Sequence, residues 1–286
     1  LSSPLVCTQA AGGRPLAVFV KDPAQVLQRF AAAPKLAGVT PASRLAVRPS
    51  PERVSSGIRE IDALTGGLPR GCLSEISGSA SSGRTSVLLA TLAAATRRHE
   101  VCALVDTTDA LDAASAAAAG IDPERLLWVR CGETGLRPRT PDRGHRPPSE
   151  FRALEQALRV TDLLLQSGGF GLVAIDLGDV SQAAARQMPL ASWFRFQRAV
   201  EPTPTVLLVV AQAPCAQTCA SLLIRLRSGK KLSAFSFQLS EKEMNCPAHT
   251  QLLDGLQIEG ELLRSRLQRK PAQSVTMAFA TKAAGI

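Results

Sequence analysis

Gly78-Ser79-Ala80-Ser81-Ser82-Gly83-Arg84-Thr85 is the stretch on which the reading of this 286-residue chain turns. Residues 72–76 before it have the composition of a buried strand, and residues 85–97 after it form a helical run. In a strand, Gly-rich loop, helix arrangement the backbone curls so that successive N–H groups and the helix start point at a phosphate. The spacing matches G-x-x-x-x-G-K-[ST] except that Arg84 stands where the lysine belongs. A guanidinium keeps the positive charge, but its planar fork is bulkier than an ammonium and cannot sit as a point charge between two phosphates. Thr85 offers the hydroxyl that in such loops ligates Mg²⁺. The alternative is a Ser/Gly loop that only caps a helix.

Outward from the loop, strand and helix signals alternate. Strands are predicted over 101–105, 126–129, 172–175 and 206–210, and helices over 110–119 and 151–166. The runs at 172–175 and 206–210 are continuously apolar, as central strands covered on both faces are. Residues 221–227 alternate, with Leu222, Ile224 and Leu226 on one face and Leu223, Arg225 and Arg227 on the other. Two last strands, 257–267 and 274–280, flank a polar turn at Lys270 and Pro271. The expected fold is α/β, a mostly parallel sheet flanked by helices with antiparallel strands added at the C-terminal edge. Residues 1–52 form an N-terminal segment, with a short helix over 23–33 capped by Asp22 and then a Pro-rich linker; residues 53–286 form the core.

Hydrophobic residues are 45% and charged residues 20% of the chain, which excludes disorder as its main state. The net charge of +9 attracts polyanions. It is carried by the loop with Arg137, Arg139, Arg143 and Arg146, by Arg225, Arg227, Lys230 and Lys231, and by Arg264, Arg266, Arg269 and Lys270. Such clusters bind phosphates without reading sequence, or serve only as solvated surface. Aromatic residues are 4%, with no Tyr, so a base-stacking platform is not expected. Trp193, Phe194 and Phe196 instead suit a helix packing edge. Seven scattered cysteines point to reduced thiols and a cytoplasmic location. Cys215, Cys219, Cys246 and His249 have a nominal zinc spacing, but their pairs fall in unrelated segments. No apolar run reaches the ~18 residues of a membrane span, and residues 16–20 lack the basic lead-in of a signal peptide. The first residue is Leu, so the true start is expected to lie upstream.

The run from Ser56 through Gly66-Gly67-Leu68-Pro69 to the phosphate loop resembles the lead of the RecA family into its ATP site. The resemblance continues through Ala103-Leu104-Val105-Asp106, Ala110-Leu111-Asp112, Leu172-Val173-Ala174-Ile175-Asp176 and the strand ending at Gln212, over roughly residues 54–230. It implies an ATP site made of Gly78, Ser79, Ala80, Ser81, Ser82, Gly83, Arg84, Thr85 and Ser86 with Asp176 and Gln212. Mg²⁺ would lie on Thr85 and Asp176, and Gln212 would sense the terminal phosphate. The family's water-activating glutamate falls at Thr108, whose hydroxyl is a poor general base at neutral pH. Asp109 is adjacent but is expected to point elsewhere. The family's two DNA loops correspond to residues 178–184 and 212–218, and the second has no Arg or Lys.

Within the RecA-like families the chain is most similar to the ImuA-type accessory proteins of bacterial mutagenic DNA repair. That similarity implies an adaptor of the DNA damage (SOS) response with weak or absent ATPase. Its partners would be RecA-type or polymerase-type proteins and DNA held nonspecifically, with no membrane. The competing expectation is an active DNA-dependent ATPase or recombinase that binds single-stranded DNA.

Overall fold

The computed structural model describes residues 50–131, 149–229, 255–266 and 276–282. The helix expected over 23–33, the Arg loop at 137–146, Lys230, Lys231, Cys246, His249, Arg269 and Lys270 lie outside them. A two-stranded ribbon of β1 (Arg53–Val54) and β2 (Leu68–Pro69) encloses helix α1 (Arg59–Thr65), which ends on left-handed Gly66. Then come β3 (Cys72–Gly78), α2 (Arg84–Arg97), β4 (Cys102–Asp106), α3 (Ala113–Ala118) and β5 (Leu126–Arg130). The chain continues with α4 (Ser149–Ser167), β6 (Leu172–Leu177), α5 (Gln182–Arg186), α6 (Leu190–Val200), β7 (Val206–Ala211) and β8 (Leu222–Ser228). It closes on β9 (Gly255–Ser265) and β10 (Thr276–Lys282).

Among the described residues, eight strands form one sheet in the order β10-β9-β8-β3-β7-β6-β4-β5. From β8 to β5 all neighbours are parallel, while β9 pairs antiparallel with β8 and β10 with β9. The antiparallel addition at the C-terminal edge is therefore present. It begins at β9, because β8 itself lies parallel beside β3.

The central strands of the sheet are buried on both faces, and the period of two sorts their side chains. On β7, Leu207, Val209 and Ala211 join one core with Trp193, Phe196 and Leu154, whereas Val206, Leu208 and Val210 join another with Val87, Leu88 and Leu92 of α2. Trp193 and Phe196 are fully buried and meet edge to face at 5.9 Å, so α6 packs through these two, whereas Phe194, expected on the same edge, is 46% exposed because it lies on the opposite side of the helix from the core. Each fully buried Leu of this kind contributes about 1.5–3 kcal/mol. The helix expected over 110–119 is shorter in the structure. The Asp106 carboxylate accepts from the N–H groups of Thr108, Ala110 and Leu111 at 3.0–3.3 Å, which fixes a turn there, and Asp112 then caps α3 by accepting from Ser115 N–H at 2.8 Å.

Candidate functional site

The parallel strands end on one rim of the sheet, where open α/β sheets bind ligands. β3 delivers Gly78 there, and α2 departs from Gly83, which holds a left-handed φ of 85°. Only glycine suits that position. A Cβ on Gly83 would lie 2.0 Å from Cδ1 of the fully buried Ile258 on β9. Ser79, Ala80, Ser81 and Thr85 are exposed, Ser86 is half-buried, and Ser82 turns inward. The Ser82 hydroxyl sits against the α-carbon of Gly78, fully buried and without a hydrogen-bond partner among the described residues.

Arg84 occupies the lysine position and does not reach outward. Its guanidinium, 9% exposed, folds back through the loop: Nη1 donates to the Gly78 carbonyl at 2.6 Å, and Nη2 stands 3.8 Å from the Asp179 carboxylate. Asp176, next to the end of β6, belongs to the same cluster. Its Oδ1 accepts from Gly178 N–H at 2.8 Å, and its carbonyl accepts from the Thr107 hydroxyl at 2.5 Å. Burial pushes the Asp176 carboxyl up to about 6; Asp106 and Asp179 push the same way, and the Gly178 N–H and Arg84 partly offset them.

Gln212 follows β7 and lines a cavity of about 370 Å³ with Ser77, Gly78, Ser79, Arg225 and Arg227. The structure thus brings Gln212 beside the opening residues of the phosphate loop. Neither Arg84, Thr85 nor Asp176 lines that cavity. Arg225 and Arg227 share Glu261 of β9, at 3.7 and 3.5 Å.

Four further residues that shape this rim were not marked by the sequence reading as doing so. Glu75, fully buried in the middle of β3, accepts from the N–H groups of Cys215 (2.6 Å) and Ala216 (3.3 Å) in the loop after β7. Burial pushes its carboxyl above the usual range, against those two hydrogen bonds. Its signal was a lone acid inside an otherwise uncharged strand. Arg264 and Arg266 donate to the carbonyls of Gln217 and Thr218 in the same loop. These two arginines, counted by sequence among the DNA-facing charges, are engaged within the protein. Asp106 is the fourth: beyond the three N–H groups of its turn, it accepts from Trp128 Nε1–H at 3.2 Å.

At the position of the expected water-activating acid, Thr108 is exposed and its neighbours are committed elsewhere. Asp109 is gripped by the guanidinium of Arg130 on β5, which holds its carboxyl below the usual range. Cys215 and Cys219 are separately buried, and no metal-holding group of His, Cys, Asp or Glu occurs among the described residues.

The cradle suits a phosphate: glycine-shaped at both ends, exposed between them, with an orphaned hydroxyl inside. For a divalent cation the candidates are the exposed Thr85 hydroxyl and the buried Asp176, and beside Asp176 a guanidinium already supplies positive charge, which does not suit a second cation. No helix of the described residues is long and apolar enough to cross a membrane.

Comparison with known proteins agrees with this geometry. The RecA N-terminal domain family matches residues 44–140. The Protein RecA of Brucella canis is 37% identical over 127 residues, 44% of this chain and 30% of that protein. Those of Brucella suis and Brucella abortus match equally. The match spans only 30% of the length of these relatives. Over the stretch that contains the phosphate loop, the chain is RecA-like, and its sheet is that of a RecA-like α/β core.

Proposed function

We propose that this chain is an accessory or adaptor protein of the DNA damage response, acting in translesion synthesis or in the regulation of recombination, of the ImuA type. It keeps a RecA-like phosphate site and turns over ATP weakly or not at all. One observation carries this reading: among the described residues no carboxylate is presented where water would be activated. Thr108 stands at that place, Asp106 is saturated by three backbone N–H groups and the Trp128 indole, and Asp109 is held by Arg130. A general base must reach the proton it takes, and neither acid is available to do so.

The retained site consists of Gly78 through Ser86 with Asp176 and Gln212, and ATP is its expected ligand. Arg225 and Arg227, on the rim beside it, give DNA a sequence-blind contact whose affinity falls with salt. Protein partners of the RecA or polymerase type are the adaptor's counterpart, and the cytoplasm is its expected place.

ATP turnover measured with and without single-stranded DNA should stay at background, and the double variant Arg84→Lys, Thr108→Glu should raise it. Turnover stimulated by DNA and abolished by Asp176→Ala would instead make the chain an active DNA-dependent ATPase and would overturn the adaptor reading.

A further inference from the structure

We infer that Arg84 takes over the charge role of the divalent cation, so that the loop binds a nucleoside polyphosphate without Mg²⁺. This rests on the reading above that the loop still holds phosphates.

Two acids, Asp176 and Asp179, flank Arg84, and a polyphosphate drawn to that guanidinium would meet their negative charge. In a site of this kind a magnesium ion ordinarily bridges carboxylate and phosphate. Here the guanidinium of Arg84 already lies beside both acids. It is 3.8 Å from the Asp179 carboxylate and donates to the Gly78 carbonyl at 2.6 Å. A methyl group on Gly178 would lie 2.9 Å from Asp176 Oδ1 and 3.4 Å from Arg84 Nη2, so both side chains flank the same α-carbon. A metal ion on Asp176 would therefore confront a like charge that the fold has buried and fixed.

Arg84 also has donors left. Of the five N–H groups on a guanidinium, the Gly78 carbonyl takes one and the Asp179 carboxylate faces another terminal nitrogen, so donors remain for a phosphate that enters the loop far enough to meet a side chain only 9% exposed. The Ser82 hydroxyl, packed against the Gly78 α-carbon and without a partner among the described residues, is a further polar group inside the loop. A lysine at position 84 would behave differently. Its ammonium is a compact point charge on a flexible stem, cannot bridge a carbonyl, a carboxylate and a phosphate in one plane, and would leave the acids to a metal.

The test is a calorimetric titration of the full chain with ATP, and separately with inorganic tripolyphosphate, once in excess Mg²⁺ and once in EDTA. The expected result is a Kd that changes less than threefold between the two buffers. In the Arg84→Lys variant, with thermal unfolding recorded to confirm that it folds, binding in EDTA should weaken tenfold or more and recover with Mg²⁺. A wild-type affinity that drops tenfold or more in EDTA overturns the inference and leaves the phosphate-site reading standing. No binding in either buffer overturns the phosphate-site reading itself. The wild-type pair of titrations decides even if the variant fails to fold.

Discussion

The turn that follows β3 and the turn that follows β7 leave the sheet side by side, from strands in register between Cys72 and Val206 at one end and Ser77 and Ala211 at the other, yet they are built in opposite ways. The first is open: Ser79, Ala80, Ser81 and Thr85 face solvent, and one side chain, Arg84, crosses it. The second is closed. Cys215, Ala216, Cys219 and Ala220 are at most 5% exposed; Glu75 holds the loop from inside the sheet, and Arg264 and Arg266 hold it from outside. A loop whose small apolar residues belong to the core cannot swing out after a DNA strand without exposing them. The rim thus sets an open loop beside one fixed in place, and on the function proposed above that division suits an adaptor rather than a motor.

The sharpest way to break the open turn is Gly83→Ala. The left-handed φ of 85° costs a residue with a Cβ about 1–2 kcal/mol, and the new methyl would collide with buried Ile258, adding about 1–3 kcal/mol of overpacking. Chemical denaturation should show a loss of about 2–5 kcal/mol. The second change Ile258→Val should recover part of it, since it removes the 2.0 Å contact with Cδ1 but neither the 2.8 Å contact with Cγ1 nor the φ.

The closed turn should yield next, at Glu75. Glu75→Ala leaves the N–H groups of Cys215 and Ala216 buried without an acceptor, a loss of about 2–4 kcal/mol. Glu75→Gln keeps an acceptor and isolates the effect of charge. Burial raises the folded carboxyl above its ordinary 4.5, so the folded chain holds a proton that the unfolded chain releases. That contribution to stability is complete below about pH 4.5 and is lost as the pH rises through the folded value. Stability measured between pH 4 and 8 should fall less steeply for Glu75→Gln than for the natural chain; an unchanged slope would mean that Glu75 is ionised in the fold.

Much of this comparison was legible in the sequence, and the illegible part has one physical cause. The phosphate loop, its flanking strand and helix, the buried strands and the antiparallel edge announce themselves locally, through glycine spacing and through periods of 2 and 3.6 residues. Arg84 and Thr108 were visible as departures because a motif fixes what should stand there. The partners were not visible. Nothing local to Glu75 tells that it reaches a loop 140 residues later, or that Ile258, on a strand with ordinary alternation, presses on Gly83. Asp106 looked like the end of a strand and proved to organise the turn that shortens α3. Charge on Arg264 and Arg266 was evident, but its direction depends on how β9 pairs with β8, which only the assembled sheet decides.

Those two arginines carry the smallest expected effect and separate a clasp from a DNA contact. Each donates to a backbone carbonyl at the exposed edge of the loop, where a charged hydrogen bond is worth less than in the core. The double variant Arg264→Ala, Arg266→Ala should therefore cost only about 1 kcal/mol of global stability, while amide hydrogen exchange in residues 215–220 speeds up locally. Nonspecific DNA affinity should hardly change if the side chains are spent on the loop. If affinity instead falls and its salt dependence flattens by about two counterions with exchange unaltered, the arginines serve phosphates, and the loop after β7 is held by Glu75 alone.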